Sequence, residues 1–250
     1  MKKTVVVGAS SGIGRYLCDR WQATGYRRGD TLATFDGAEI IVFCAAKARF
    51  ETPSNELFAA IQDNLLLLEK ISALPHKRFV FFSSADVYPK NGQKHSEDED
   101  IKIETLSGGY PCFKLMSEAI VHERTKKPLV LRPTSLFGPG MRPNNITRLL
   151  SGAAQQPTLT AHSQFNCVTY DMVADLIETA INSEIDGIFN CAAAMGVSLG
   201  DVGKLANYHG PYGEHTYQVA ELDNQKAASI GPAFARSSLD ILKSLDLSSI

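Results

Sequence analysis

Short apolar runs alternate along the chain with longer stretches of helical periodicity. The continuous apolar runs at Thr4–Val7, 40–46 and 78–83 are typical of parallel strands that are buried on both faces. Two further runs, at 129–132 and 187–191, have the same character. Because parallel strands are joined by crossover helices, this order predicts an α/β fold with a doubly wound parallel sheet and right-handed crossovers.

Helical periodicity fills the intervals between these runs. Segment 56–73 carries one apolar stripe and is followed by a proline, and helices are also predicted over 110–123 and 171–181. The first helix is expected to follow a glycine-rich turn and to run to about Thr24, because Gly25 is typical of a helix end.

The connection between the first helix and the strand at Ile40 is unusually short. About fourteen residues lie there, where a doubly wound fold normally has a strand, a helix and the approach to the next strand. Segment 26–30 is therefore interpreted as the remnant of a missing unit. The sheet is predicted to be shortened between the first helix and residue 40.

The composition is that of an ordinary globular protein. Of 250 residues, 44% are hydrophobic and 21% are charged, with a formal net charge of −2. This charge gives no reason to expect a nucleic-acid or membrane partner, and no apolar run is long enough to span a bilayer. The chain runs from Met1-Lys2-Lys3 straight into a strand, and its five cysteines are widely spaced. These features predict a cytoplasmic protein with reduced thiols.

The first candidate site is the glycine-rich turn Gly8-Ala9-Ser10-Ser11-Gly12-Ile13-Gly14. Gly8 allows a tight turn at the strand end, while Gly12 and Gly14 let the helix backbone approach a pyrophosphate. Amide groups at the helix N-terminus would face the phosphates, and Ser10 and Ser11 can add hydroxyl donors. The turn predicts a dinucleotide site, and the alternative is a plain Gly/Ser turn between a strand and a helix.

The second candidate site is the pair Tyr110 and Lys114. Their spacing places both side chains on one helix face, with Cβ atoms about 5–6 Å apart. Lys114 and an oxidised nicotinamide ring would both favour the phenolate and lower the tyrosine pKa from its ordinary value of about 10. Pro111 belongs in a first helical turn, so Tyr110 lies at the helix entrance. The alternative is a surface pair on an amphipathic helix.

The third candidate site is Ser84, which follows the strand 78–83. It therefore lies at the carboxyl edge of the sheet, where open α/β sheets bind ligands. Its hydroxyl can hold a substrate oxygen in place for Tyr110, although Ser83 beside it could take that part, and the alternative is a strand-capping serine. The three sites together predict hydride transfer from a nicotinamide cofactor.

These motifs resemble those of the short-chain dehydrogenase/reductase superfamily over nearly the whole chain. The glycine spacing is similar to that of the compact members. The downstream motifs resemble the extended branch that acts on nucleotide sugars, and they are Ser83-Ser84-Ala85-Asp86-Val87-Tyr88, Tyr110-x-x-x-Lys114, the stretch from Leu131 to Gly140, and the stretch from Asn166 to Val173.

The resemblance implies a catalytic triad of Ser84, Tyr110 and Lys114, with Lys114 also binding the nicotinamide ribose. Apart from the glycine turn, the cofactor contacts that it implies are Cys44, Ala45, Ala46, Asn64, Ser83, Pro133 and Ser135. The implied fold is a Rossmann-type domain, residues 1–132 with 165–195, and a small substrate lobe, residues 133–164 with 196–250. The resemblance also implies a homodimer formed through the helices over 56–73 and 110–123.

One substitution narrows the reaction. In the nucleotide-sugar dehydratases that the chain resembles, an Asp–Glu pair follows the catalytic hydroxyl and eliminates water, and here the matching residues are Ala85 and Asp86. An alanine cannot protonate a leaving hydroxide. The expected reaction is reduction of a keto group on a nucleotide-activated sugar, as in a 4-ketoreductase. The alternatives are a 4-epimerase with tightly bound NAD and a non-catalytic NADP-binding sensor or scaffold.

The adenosine end of the cofactor site depends on the shortened segment. No acidic residue that could bind an adenosine 2′-hydroxyl is evident there, whereas Arg27 and Arg28 could pair with a 2′-phosphate. NADP is therefore the expected cofactor and NAD the alternative. The other interpretation of the two arginines is a solvated surface turn.

Two further segments are weaker candidates. Arg142, Asn144 and Asn145 are assigned as diphosphate or sugar contacts, against the alternative of a plain loop. The acidic run over 96–100 is interpreted as a solvated loop.

Overall fold

The computed structural model describes residues 2–46, 57–152 and 156–246. In chain order the strands are β1 (Thr4–Val7), β2 (Thr24–Tyr26), β3 (Ile40–Phe43), β4 (Arg78–Phe82), β5 (Lys94–His95), β6 (Leu129–Pro133), β7 (Ser135–Phe137), β8 (Gln164–Phe165), β9 (Cys167–Thr169), β10 (Gly187–Cys191), β11 (Val197–Ser198) and β12 (Glu221–Leu222). The helices are α1 (Gly12–Trp21), α2 (Leu57–Ile61), α3 (Leu67–Ser72), α4 (Gly109–Arg124), α5 (Asn145–Leu150), α6 (Tyr170–Asn182), α7 (Leu199–Leu205), α8 (Gln225–Ile230) and α9 (Ser238–Lys243).

Six of the strands form one parallel sheet in the order β10-β6-β4-β3-β1-β2. The order reverses after β1, so the crossovers lie on both faces of the sheet, as in a Rossmann-type fold. The predicted fold class is confirmed. The remaining strands form three short pairs, β5 with β12, β7 with β9, and β8 with β11.

Alternate side chains of the central strands enter two different hydrophobic clusters. Val6, Val42 and Val80 are in register across β1, β3 and β4, and they pack in the cluster beneath α1 and α6. Their neighbours Ile41 and Phe81 enter the opposite cluster, with side chains of α3 and α4. Each strand is therefore buried on both faces, which explains its unbroken apolar sequence.

The fold is shortened between the first helix and residue 40 as predicted, but the end of the first helix and the loss of the second strand were predicted wrongly. Helix α1 ends at Trp21, and Gln22 caps it in the left-handed conformation with φ 51°. Gly25 lies inside β2, which pairs with β1, so the second strand is present. A Cβ at Gly25 would lie 2.6 Å from Cβ of Ala9, which explains the glycine. The missing part is the helix, because a 3₁₀ turn over Leu32–Phe35 leads towards β3 instead.

The predicted helix over 56–73 is continuous from α2 to α3 but contains a π-helical turn over Gln62–Leu66. Such turns insert one residue into the helix and are frequent at functional sites. The other predicted helices and strands agree with the structure to within about two residues, apart from the strand at 40, which ends at Phe43.

A separate hydrophobic cluster lies outside the central sheet. Its buried members include Phe137, Ile146, Phe165 and Leu242. In contrast, Ala227 of α8 and Phe234 beyond it belong to the cluster beneath α6. The division into a Rossmann domain and a substrate lobe stays a prediction.

Among the residues that the structure describes, no helix is long and apolar enough to cross a membrane.

Candidate active site

The glycine turn makes a close backbone contact at the carboxyl edge of the sheet. Gly8 has φ +91°, and a Cβ there would lie 2.8 Å from the backbone nitrogen of Ala45. A Cβ at Gly14 would lie 2.3 Å from the carbonyl oxygen of Gly8. Only glycine fits at these two positions, so the turn presents backbone rather than side chains to a ligand.

Helix α1 begins at this turn with its amide groups available. Ser11 is the N-cap in an extended conformation, and its side chain does not cap the helix. Ser10 and Ser11 are both exposed, while Gly12 is half-buried and Ile13 packs against the main hydrophobic cluster. The uncapped amides and exposed hydroxyls fit the phosphates of a dinucleotide. The residues of the predicted cofactor turn are thus suitable for this group, and the side chain of Ile13 anchors the turn on the core.

Lys114 is buried at the carboxyl end of β4. Its side-chain nitrogen donates a hydrogen bond to the carbonyl oxygen of Phe82 at 2.5 Å and lies 5.9 Å from the centre of the Tyr110 ring. Burial lowers the pKa of Lys114 to about 8, against a raising effect of Cys44 and Glu118. This lysine therefore changes charge near neutral pH, which a surface lysine does not.

Ser84 and Tyr110 are brought together from different elements. Ser84 follows β4 and caps the turn over Ala85–Val87, where its oxygen accepts from the backbone of Asp86 at 3.1 Å. The Ser84 hydroxyl also lies near the phenol of Tyr110, the second residue of α4, and acts on its pKa. The three residues predicted as a triad therefore meet at one edge of the sheet.

The expected lowering of the Tyr110 pKa was wrong for the groups of the protein itself. Burial raises this pKa to about 12, and the nearby Ser84 hydroxyl lowers it less than burial and the charge of Asp86 raise it. Lys114 bonds to the carbonyl of Phe82 instead of the phenol oxygen. The protein alone therefore keeps Tyr110 protonated across the neutral range.

Asp86 forms a second polar group at this edge. It pairs with Lys90 at 3.1 Å, and the ammonium of Lys90 lies 4.6 Å from the centre of the Tyr217 ring. The Tyr217 ring packs at a tilt against Phe165 of the separate hydrophobic cluster, with ring centres 5.1 Å apart. The carboxylate is thus held between the carboxyl edge of the sheet and a segment that follows α7.

The remaining predicted cofactor contacts occupy the ends of neighbouring strands. Cys44 and Ala45 are half-buried after β3 and Ala46 is exposed, while Pro133 ends β6 and is buried. The backbone nitrogen of Ser135 donates to Asn166 at 3.0 Å. Each therefore lies at the carboxyl edge or just beyond it.

Asn64 lies in the π turn and is buried. Its side-chain amide donates to the backbone carbonyl of Ala60 at 2.9 Å. Its backbone carbonyl accepts from the hydroxyl of Ser117 in α4 at 3.5 Å. The residue thus joins the helix before β4 to the helix that carries Tyr110.

The two predicted adenosine-side arginines follow β2. Both Arg27 and Arg28 are exposed, and the backbone nitrogen of Arg27 donates to Asp30 at 2.7 Å. Arg27 lines a cavity of about 720 Å³ that also borders Ser10 and Arg15. The cavity, which Asp19 also lines, therefore connects the glycine turn with Arg27 at the end of β2.

The assignment of Arg142, Asn144 and Asn145 as substrate contacts stays a prediction. Asn144 caps α5 in a capping box with Thr147, and the side-chain oxygen of Asn145 accepts from the backbone of Thr158 at 2.8 Å. The interpretation of the acidic run over 96–100 as a solvated loop was wrong. Glu97 accepts from the backbone of Asn190 at 2.9 Å, and Glu99 bonds to His95 at 2.6 Å.

A buried polar network behind the site had no clear signal in the sequence. Glu118 and Arg132 pair at 2.7 Å with side chains only 4% exposed, and Ser83 donates to the same carboxylate. Arg132 also donates to the hydroxyl of Tyr88 at 2.6 Å. The one available hint was spacing, since Glu118 follows Lys114 by one further helical turn.

Asn166 is a second residue whose function the sequence did not reveal. Its side-chain oxygen accepts from Thr134 at 3.0 Å and from the backbone of Ala193 at 2.8 Å. It therefore joins the segments that follow β6 and β10 at the carboxyl edge.

Several solved structures share the fold over nearly their full length. UDP-glucuronic acid 4-epimerase from Bacillus cereus, in complex with UDP-glucuronic acid and NAD, is 15% identical with a TM-score of 0.76, over 96% of this chain and 99% of that chain. The dTDP-4-dehydrorhamnose reductase from Yersinia enterocolitica is 16% identical with a TM-score of 0.77, over 100% and 99%. MoeE5, in complex with UDP-glucose and NAD, is 18% identical with a TM-score of 0.79, over 99% and 96%.

No curated protein sequence matches this chain. The sequence model of the NAD dependent epimerase/dehydratase family matches residues 27–160, which is more than half of the chain. The match begins after the glycine turn, whose spacing is that of the compact members. The predicted superfamily branch and the prediction of a nicotinamide-dependent enzyme are both confirmed. The chain belongs to the NAD dependent epimerase/dehydratase family.

Proposed function

We propose that this protein reduces a keto group of a nucleotide-activated sugar with a nicotinamide cofactor. The observation that carries the proposal is the meeting of Ser84 and Tyr110 at one edge of the sheet, beside the buried ammonium of Lys114. A hydroxyl that orients an oxygen and a phenol that can give it a proton are what carbonyl reduction requires from a protein.

The cofactor would lie along the carboxyl edge of the sheet. The amides of α1 and the backbone at Gly8 and Gly14 would hold its phosphates, and Lys114 would hold the nicotinamide ribose. Cys44, Ala45, Pro133 and Ser135 would flank its nicotinamide half. When bound, the cofactor supplies the hydride that reduces the carbonyl carbon.

The residues of this chain would handle the carbonyl oxygen and its proton. Ser84 would donate a hydrogen bond to that oxygen and hold it towards Tyr110. Tyr110 would transfer its phenolic proton to the oxygen as the alcohol forms. Its raised pKa supports this direction, because a tyrosine that keeps its proton is ready to act as an acid.

The substrate assignment rests on the family and on Ala85. Two of the solved structures with this fold contain a UDP-sugar, and another is a dTDP-4-dehydrorhamnose reductase. Ala85 is buried and provides no acid for removing water, which argues against dehydration. A nucleotide sugar that already carries a keto group is therefore the proposed substrate.

NADP is the proposed cofactor, with NAD as the alternative. Arg27 and Arg28 are exposed at the end of β2, next to the glycine turn, and offer charge-assisted hydrogen bonds to a 2′-phosphate. The solved structures with NAD support the alternative. A comparison of the dissociation constants of NADP and NAD decides between them.

A 4-epimerase is the second candidate, since one solved structure with this fold is a UDP-glucuronic acid 4-epimerase with NAD. The experiment is to mix the purified protein with NADPH and a panel of nucleotide 4-keto sugars and to follow cofactor oxidation by absorbance. Oxidation with one sugar supports the reductase, and none with any sugar contradicts it. Tightly bound NAD in the denatured supernatant, with sugar interconversion, indicates the epimerase. Binding without any turnover indicates a sensor or scaffold.

A homodimer is proposed on the surface of two adjacent helices. Phe58, Leu66 and Met116 are 69%, 53% and 46% exposed on the packed segments that contain α2, the π turn and α4. A second copy of the same face would cover these apolar side chains. Light scattering of the protein and of Met116→Lys tests this, because the lysine should yield a monomer. A monomeric wild-type protein would contradict it.

The cytoplasm is the proposed compartment. All five cysteines are free thiols, which suits a reducing environment. Fractionation of cells that express a tagged protein tests this, and recovery outside the cytoplasmic fraction would contradict it.

A further inference from the structure

Tyr110, Lys114 and Glu118 follow one another at one-turn intervals on the same face of α4. The first two belong to the proposed reaction. Glu118 does not touch the catalytic edge directly, yet it is 3% exposed and carries a carboxylate into the interior. Burying a carboxylate is costly, so the contacts that hold it there require an explanation.

One of those contacts leads to the catalytic strand end. Ser83 donates its hydroxyl to Oε1 of Glu118, and Ser84 is the next residue in the chain. Arg132 donates to both carboxylate oxygens, at 3.0 Å and 2.7 Å, and holds the carboxylate in one orientation. Movement of Glu118 would therefore move the backbone that positions Ser84.

A second relation is electrostatic and concerns Lys114. Its ammonium is surrounded by the Phe81 ring, the carbonyl of Phe82, the neutral thiol of Cys44 and the phenol of Tyr110. Among the described residues, Glu118 is the carboxylate that acts on it. Cys44 also raises the pKa of Lys114, but burial keeps its thiol neutral near pH 7, so without the Glu118 carboxylate burial would favour the neutral amine still more.

We propose that Glu118 is a positioning residue of this site, which fixes the strand end through Ser83 and supplies the balancing charge for Lys114. The proposal deepens the proposed function and rests on it for its catalytic meaning. Its electrostatic part concerns the protein alone. It can therefore be tested without any substrate.

The test is a titration of Lys114 in the full-length protein. The protein is labelled with carbon-13 lysine, the Lys114 signal is assigned with Lys114→Arg, and its chemical shift is followed from neutral to alkaline pH. In the wild type the midpoint should lie at about 8. In Glu118→Gln it should fall by about one unit, the lower end of the effect of a nearby opposite charge. Glu123→Gln, an equal charge change at an exposed position of α4, should leave it unchanged.

A purely structural role predicts a different result. In that case Glu118→Gln lowers the melting temperature, but the midpoint of Lys114 stays at the wild-type value, and this overturns the proposal. If Glu118→Gln does not fold, the double variant Glu118→Met with Arg132→Met decides. It leaves no unpaired buried charge, and replacing a buried ion pair by apolar residues is often tolerated. A downward shift is expected there too, smaller than in Glu118→Gln because the positive charge of Arg132 is removed together with the carboxylate, and an unchanged midpoint overturns the proposal.

Turnover adds a separate readout. In the wild type kcat/KM should fall at alkaline pH as Lys114 loses its charge. In Glu118→Gln this fall should move to lower pH, together with the titration midpoint of Lys114. If the wild type shows no turnover with any keto sugar, the proposed function fails while the titration still tests Glu118. If turnover is present and the fall in kcat/KM does not move with the midpoint, the positioning role is contradicted.

Discussion

The ammonium of Lys114 donates a hydrogen bond to the backbone carbonyl of Phe82 at 2.5 Å. This contact ties α4 to the end of β4, and thereby ties the helix that carries Tyr110 to the strand that leads to Ser84. The same lysine has its pKa lowered to about 8 by burial. One buried side chain thus joins the two halves of the proposed site and is sensitive to pH.

The pH dependence of the reaction should follow Lys114. Its charge is present below about pH 8 and lost above it, so kcat/KM should fall as pH rises through about 8. In Lys114→Arg the guanidinium stays charged, and any remaining activity should lack this limb. Steady-state rates over the neutral and alkaline range measure both. An identical limb in the arginine variant would assign it to another group.

Arg27→Ala should weaken NADP selectively. Loss of one charge-assisted hydrogen bond to a phosphate corresponds to about 1.5–3 kcal/mol, or roughly 10- to 150-fold in dissociation constant. NAD lacks the 2′-phosphate and serves as the internal control, because its dissociation constant should not change. Calorimetric titration of both cofactors gives the two values. Equal losses for NADP and NAD would remove Arg27 from the 2′-phosphate site.

The buried pair of Arg132 and Glu118 should matter far more to stability than an exposed pair. Arg132→Met leaves a buried carboxylate unpaired and should lower the free energy of unfolding by about 3–5 kcal/mol. Arg124→Met breaks the pair with Glu69, whose side chains are 49% and 43% exposed, and should cost about 0–1 kcal/mol. Urea unfolding of both variants makes the comparison. Similar losses would show that the buried network is dispensable.

The sequence predicted the central strands because each of them is buried on both faces. Val6, Val42 and Val80 stand in unbroken apolar runs, and such runs are visible without knowledge of the fold. Strand β2 was missed because it is a three-residue edge strand with a glycine in the middle and only Tyr26 fully buried. An edge strand of that length has no periodicity to detect.

The sequence predicted those parts of the candidate site that depend on spacing within one helix or on a position after a strand. Tyr110 and Lys114 lie one helical turn apart, and Ser84 follows a strand, so their meeting at one edge follows from the fold. The pairing of Glu118 with Arg132 was not predictable, because it joins a helix to a strand through a packed interior. The raised pKa of Tyr110 likewise depends on burial and on Asp86, which only the folded chain determines.

The most direct measurement is the rate of NADPH oxidation by Tyr110→Phe with a nucleotide keto sugar that the wild type reduces. Tyr208→Phe is the matched control. Tyr208 packs against the separate hydrophobic cluster, and its hydroxyl donates to the backbone carbonyl of Pro211. Loss of the proton donor should lower kcat by about 10²- to 10⁴-fold, with an unchanged melting temperature and full activity in the control. A Tyr110→Phe variant that reduces the sugar at the wild-type rate would contradict the proposed mechanism.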